Sequence, residues 1–484
     1  MKEPVAGRRV AKAQPRPMDR GVVSAAVLLV LAVVAITLTA SGKVIEESSE
    51  ETVGVLVDHA LHGCPRFPPP PRTQTDIVTV AAPLADLADG GDTSGGDIRY
   101  GAPGNDLASA KRQSLERGEL LDLATGSDGK PALAIESNGP IAAGLSSFQI
   151  DENASAGTLA VTGCGSPHSR WWFTGAGATV DHSSELIMSN LDPGPAVVDV
   201  RVLGPDGEID TLATRGVTVP ANSRTTIKLT DVAPQGEELA VSVVASRGRV
   251  VAAMTDSFAP EFGADAGVEW IPAQTSASRS VNLAGLPTKA DSHTLIVANP
   301  SELEALVDIK VSGEAGSFTP SQNAQIRVGP GAVVSTDISK ALGADAAAVT
   351  LRSPVPVTAS VRSLTDGDVS YAGSVRPLTG PALSPVTGGA TSTALLSAGS
   401  EPATATITAY DQGGTEVDSA TVELDPGATS TWTAKRGAAY LVVTPEQGEV
   451  FGAISITGRA GVSQVPLVPL VVRLERPGVR PGLV

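Results

Sequence analysis

Two cysteines, Cys64 and Cys164, are the only thiols in the 484-residue chain. Each follows a glycine and stands just before a run that reads as the first strand of a repeat, so the two occupy comparable places in adjacent copies. Two thiols cannot build a tetrahedral zinc site alone, and His59, His62 and His168 are the only nearby additions. A Cys64–Cys164 disulfide in an oxidising compartment is the expected chemistry. The chain has 5 histidines, which leaves little material for general acid–base work. Asp181-His182-Ser183 contains the residue types of a hydrolytic triad. Neighbours on a strand point to alternate faces, however, so this stretch reads as a turn and not as a relay. No nucleophile elbow, Walker loop, zinc-protease helix motif or EF-hand loop is present in the sequence. The carboxylate pairs Glu46-Glu47 and Glu237-Glu238 read as solvated faces, and Asp89, Asp92 and Asp97 as part of a Gly/Asp-rich loop with a weak claim to calcium. No catalytic, cofactor-binding or metal-ligating residue is expected, and no cofactor. The aromatics are the better lead. Trp171, Trp172, Phe173, Trp270 and Tyr371 stand at matching places where successive copies begin. Trp171 and Trp172 face opposite ways on a strand, so one of the two is expected to be exposed and to meet a partner or a glycan.

The elements that would position these residues are strands. Apolar residues make up 42% of the chain but aromatics only 3%, and 51 glycines and 36 prolines punctuate it. Cores of Val, Leu, Ile and Ala suit sheets. The stretch from Ser292 to Thr365 shows the pattern in full. An apolar strand ends at Asn299-Pro300 and an alternating one covers Ala305–Val311. Turns follow at Val328-Gly329-Pro330-Gly331, and a corner at Ser353-Pro354-Val355-Pro356. Short strands broken by such turns are the mark of an antiparallel sandwich. Landmarks recur at spacings near ~100 residues: Asn190, Asn299 and Gly399; Val219-Pro220, Gly329-Pro330 and Asp425-Pro426; Val250, Pro356 and Val450. The expected architecture is all-β, a tandem array of immunoglobulin-like sandwiches after one N-terminal transmembrane helix. A β-propeller-like array is the alternative. The expected borders are 64–162 for a degenerate first repeat, 163–262, 263–367 and 368–471 for the next three, and 472–484 for the tail, where Arg473, Arg476 and Arg480 lie among prolines.

Residues 21–40 carry no charge and follow a basic segment, 1–20, which reads as an uncleaved signal anchor with its N-terminus in the cytoplasm. Residues 41–63 form a stalk leading to the stiff run Pro68–Pro71. The formal charge is −17; residues 1–20 hold six basic and two acidic side chains, or +4, so the remainder carries −21. That balance argues against nucleic acid as a partner.

The basic start, the spanning segment, Cys64, Cys164, Trp171, Phe173, Asn299-Pro300, Pro330-Gly331 and the Pro356-Val357-Thr358-Ala359 corner together resemble a family of uncharacterised actinobacterial membrane-anchored cell-envelope proteins defined by a domain of unknown function. The resemblance covers nearly the whole chain and carries over no catalytic residues. It implies a single-pass membrane protein with its C-terminal part outside the cell, acting as a non-catalytic scaffold or binding protein. Its partner would be an envelope protein or a wall glycan. An enzyme acting on envelope polysaccharide and a surface adhesin are the competing expectations.

Overall fold

Alternation of apolar and polar residues builds this protein strand by strand. In Ala305–Gly313, Ala305, Val307, Ile309 and Val311 are buried while Asp308 and Lys310 face water. The same inward row recurs as Ala196, Val198, Val200 and Val202, and again as Ala403, Ala405, Ile407 and Ala409. The computed structural model describes residues 53–65, 73–83, 95–103, 110–126, 133–259, 266–342 and 347–476. The expected membrane segment 21–40, the run Pro68–Pro71 and the residues Asp89 and Asp92 lie outside them. No helix among the described residues is long and apolar enough to cross a membrane. Leu56–Leu474 forms one unit; of the other, Met1–Val55 with Glu475–Val484, only 53–55 and 475–476 are described.

Within Leu56–Leu474 the chain is all-β and its strands fall into four successive sets. They run from His59 to Gly163, Arg170 to Ile271, Ser278 to Val375 and Ala382 to Pro466. Each set uses the same antiparallel order. One sheet runs first–sixth–third–fourth strand, and its companion runs fifth–second–seventh–eighth. In the second and third sets the fourth strand is split into two short pieces, such as Gly207–Ile209 and Val217–Val219. In the third set the sixth and seventh strands are one, Ala347–Thr365. Its first half pairs with Ser278–Leu286 and its second half with Ser292–Ala298, and the change of partner falls at the Ser353–Pro356 corner.

Two features differ from expectation. Second beside fifth and third beside sixth are immunoglobulin pairings, but first beside sixth and seventh beside second are not. Nor is any of these sheets a meander of consecutive strands, as a propeller blade is. Secondly, pairing closes each set one strand later than the sequence borders 263 and 368. Gly267–Ile271 pairs with Val251–Phe258, and Asp368–Val375 with the end of Ala347–Thr365. A Pro- and Gly-bounded strand announces its own existence, but not which sheet it joins.

The four sets close on themselves. The last strands, Thr158–Gly163, Gly267–Ile271, Asp368–Val375 and Gly461–Pro466, pack in cyclic order, with the fourth against the first. The first and fourth sets share one hydrophobic core, in which Val78, Val80, Phe148 and Leu159 join Ala394, Leu441 and Ile454. A linear array in which each repeat touches only its neighbours has no such contact.

Cys64 and Cys164 are bonded, with their Cα atoms 4.3 Å apart. The bridge clasps a single set, since Cys64 ends its first strand and Cys164 follows its last. Gly63 N also donates to Gly165 O at 2.8 Å. A bridge spanning 100 residues of sequence should contribute about 2–4 kcal/mol. The double variant C64S/C164S is therefore expected to unfold at lower denaturant by that free energy, measured by urea titration. Equal midpoints for the two proteins would contradict it.

Candidate functional site

The polar groups with the most unusual surroundings lie where the sets meet. At the centre, the first positions of the four last strands are Thr158, Gly267, Asp368 and Gly461. The amide of the following residue in each strand points inward, and one carboxylate collects them. Asp368 Oδ1 accepts from Val369 N at 3.0 Å, and Oδ2 accepts from Val462 N at 2.9 Å and Leu159 N at 3.4 Å. The Val268 amide contributes as well. Glycine is required beside it. A Cβ on Gly461 would overlap the carboxylate, and one on Gly267 would sit 2.5 Å from Val369 N. Burial pushes Asp368 up to about 7, against the opposing pull of the Val462, Val369, Leu159 and Val268 amides. Glu269, wholly buried nearby, is raised well above the carboxylate range by burial and then by the Asp368 charge, and its Oε1 accepts from Trp270 N at 2.8 Å. Burial and the Asp368 charge thus disfavour ionisation of Glu269, while the four amides favour it on Asp368.

The residue three places into each last strand reaches back into the preceding set. Trp270 Nε1 donates to Asp151 Oδ2 at 3.0 Å, and Tyr371 Oη to Asp256 Oδ2 at 2.6 Å. Asp151 and Asp256 are equivalent, lying opposite Ala160 and Glu269 at matching places in the register. Each also takes a hydroxyl from the second strand, from Thr75 and Ser184 respectively. At the next seam no acid stands at this place, and Gln464 Nε2 donates to Gly285 O instead. The ring is closed by Tyr440 Oη donating to Gly118 O at 2.7 Å and Val161 N to Ser463 Oγ at 2.9 Å.

The seam between the second and third sets holds Ser184, Asp256 and His182, a triad by composition. The arrangement is not catalytic. Aspartate occupies the middle, with Ser184 Oγ donating to it and accepting from Gly177 N. His182 Nε2 faces the same carboxylate at 3.2 Å, while Nδ1 lies 2.7 Å from the Glu237 carbonyl. The Asp256 carboxylate favours the protonated, charged imidazole. Burial disfavours that charged form, but Asp256 outweighs burial and raises the group above its ordinary value. A nucleophile needs its base within reach, and here serine and histidine meet only through the acid. Beside them Arg362 forks onto Glu238 at 2.7 and 3.2 Å and stacks 4.0 Å over Phe258. The acid facing His182 is thus Asp256 and not its sequence neighbour Asp181. His182 and Ser184, two apart, share a face, and their acid lies 72 residues after Ser184.

Trp171 and Trp172 are both buried, each 6% exposed, so neither offers a ring to a partner or glycan. Trp171 Nε1 donates to Val250 O inside its own set. Trp172 faces the other way, as strand alternation requires, but there it meets Ile296, Ala298 and Val333 of the next set. The expectation that one of the two is exposed therefore fails, because the next set covers the second face. Trp270 and Tyr371 do match in position, whereas Trp171 and Trp172 belong to a first strand. Among the described residues no group of three or more His, Cys, Asp or Glu side chains could hold a metal. Asp97 pairs with Arg112 at 2.6 Å.

The class of protein these observations define is a closed all-β ring of four sandwich-like sets, stapled by one disulfide and joined by buried polar seams. The chain belongs to DUF5719, a family of unknown function, whose family model matches residues 124–435. No curated protein matches it. Among solved structures, a Streptomyces avermitilis α-L-rhamnosidase complexed with L-rhamnose aligns at 10% identity and a TM-score of 0.13, over 80% of this chain and 54% of that one. The chain thus spans about half of that enzyme's length, and a likeness this low carries no argument.

Asp368 sets a pH dependence. Its folded value of about 7 exceeds the ordinary 3.8, so folding favours the protonated form. The stability contributed by Asp368 is greatest below about pH 4, falls as pH rises to about 7 and then levels, by at most about 1.4 kcal/mol per pH unit. The His182 pair works in the same direction at higher pH: its stabilisation is present below the ordinary imidazole value and is lost as pH passes the raised one. D368N turns an amide N–H₂ toward a backbone N–H. It should flatten the slope between pH 4 and 7 and lower stability at pH 5 by about 1–3 kcal/mol. Urea unfolding at pH 5 and pH 8 checks this; an unchanged slope would refute the assignment.

Proposed function

We propose that this protein is a non-catalytic, extracytoplasmic scaffold or binding protein of the bacterial cell envelope, held in the membrane by residues 21–40. The observation that carries this reading is the closed ring itself. The polar side chains that could have formed a reactive centre, including His182, Ser184, Asp256, Glu269 and Asp368, are committed to buried structural contacts, and Asp256 and Asp368 bond across to neighbouring sets. The disulfide supports an oxidising location outside the cytoplasm. Such a body presents fixed surfaces at fixed angles, which suits holding partners more than turning over a substrate.

With the tryptophans buried, the partner contact moves to the rim. An open groove of about 520 Å³ on the third set is lined by Phe318, Gln322, Asn323, Asp337 and Lys340. Phe318 is 47% exposed, and a ring beside amide and charged groups suits an envelope protein or a wall glycan.

Cross-linking in intact cells, followed by capture through a C-terminal tag, tests the reading. A specific membrane protein or intact wall glycan should co-purify, and F318A should reduce that recovery several-fold without shifting the melting temperature. Shortened glycan products in the captured fraction would overturn the non-catalytic reading in favour of an enzyme.

A further inference from the structure

The chain enters and leaves the ring at one place. Val57 N donates to Val472 O at 3.0 Å, so the start of the folded body lies against its end. The segment leading out is fixed by its backbone. Leu470 N donates to Pro381 O at 2.7 Å, and Gly144 N to Val471 O at 3.0 Å, which ties the segment to both the fourth and the first set. Held in this way, it keeps apolar side chains in water: Val468 is 63% exposed, Val471 56% and Leu474 54%. They recur every third residue along one short segment, whereas the other large exposed apolar side chains, such as Val180 and Leu212, lie apart in sequence on other sets.

Two further observations say what covers this edge. Fifteen residues separate Ala40, the end of the uncharged stretch, from Leu56. At full extension they reach at most about 55 Å, so the edge bearing Leu56 and Val471 is the one tethered nearest the bilayer. The charge also changes sign here. In an acidic chain, residues 464–484 hold three arginines, Arg473, Arg476 and Arg480, against the single acid Glu475. Apolar side chains beside arginines are the composition that settles into the headgroup–acyl boundary.

We propose that the Val468–Leu474 edge is a membrane-contact surface: Val468, Val471 and Leu474 dip into the outer face of the lipid bilayer, so that the ring is docked on the membrane and not merely tethered to it. This rests on the reading of residues 21–40 as an uncleaved anchor.

The test uses the full chain reconstituted in vesicles of phosphatidylcholine and phosphatidylglycerol at three to one. The native cysteines are bonded to each other, so V471C takes a polarity-sensitive fluorophore at one site, and V180C, at a position 90% exposed on another set, is the control. The V471C probe should shift to the blue and be quenched at least about two-fold by lipid spin-labelled near the headgroup, with the V180C probe unchanged. If the protein floats with the vesicles but both probes stay equally water-exposed, the docking proposal falls and the anchor stands. If it does not float, the anchor reading falls as well. Shielding of V471C that follows protein concentration and ignores the lipid label would assign the edge to a second copy of the chain, which also overturns the proposal.

Discussion

Four backbone amides, one from the start of each last strand, converge on the middle of this protein, and a buried N–H without an acceptor costs more than most single contacts contribute. One carboxylate, Asp368, meets that demand for all four sets. The other three sets carry Thr158, Gly267 and Gly461 at the same place. A second aspartate there would set two like charges against each other in a dry site, and a larger residue would have no room. The fourfold repetition of the sheets is therefore broken by necessity at its axis. The group that breaks it is bonded to every set at once.

The seams extend the same economy outward. An aromatic donor at the fourth place of a last strand meets an aspartate in the seventh strand of the set before, and a hydroxyl from the second strand steadies that aspartate. With only 3% aromatics, the chain fills the interiors of its sandwiches largely with aliphatic side chains, while Trp172, Trp270 and Tyr371 lie where sets meet. The consequence is cooperativity. No set can leave without uncovering apolar surface and orphaning polar groups in its neighbours, and the first set cannot leave without opening the core it shares with the fourth.

Much of this could be read from residue order, and the reasons for the rest are physical. Local rules located the strands and corners because they depend on nearby residues. Asn190 and Asn299 were recognised as equivalent, and their bonds are the same: each Nδ2 donates to the carbonyl four residues on and to one 29 residues on, Gly194 and Val219 in one case, Leu303 and Val328 in the other. The Ser353–Pro356 corner and the Cys64–Cys164 bridge were legible for similar reasons. Ring closure was not, because it depends on pairs such as Tyr440 and Gly118, 322 residues apart, and no periodicity records them. Asp368 was hidden in Thr365-Asp366-Gly367-Asp368, which reads as an ordinary hairpin turn. The burial of both Trp171 and Trp172 was not legible, because alternation fixes the direction of a side chain and not what stands in front of it.

Native-state hydrogen exchange at the amides of Leu159, Val268, Val369 and Val462 tests the hub most directly. If the Asp368 carboxylate ties the four sets into one cooperative body, all four amides exchange only through global unfolding, with equal protection that rises and falls together as denaturant is added. Protection that differs set by set, with any one of these amides exchanging through an opening of its own, would mean that the sets are independent modules and that the ring is not held at its centre.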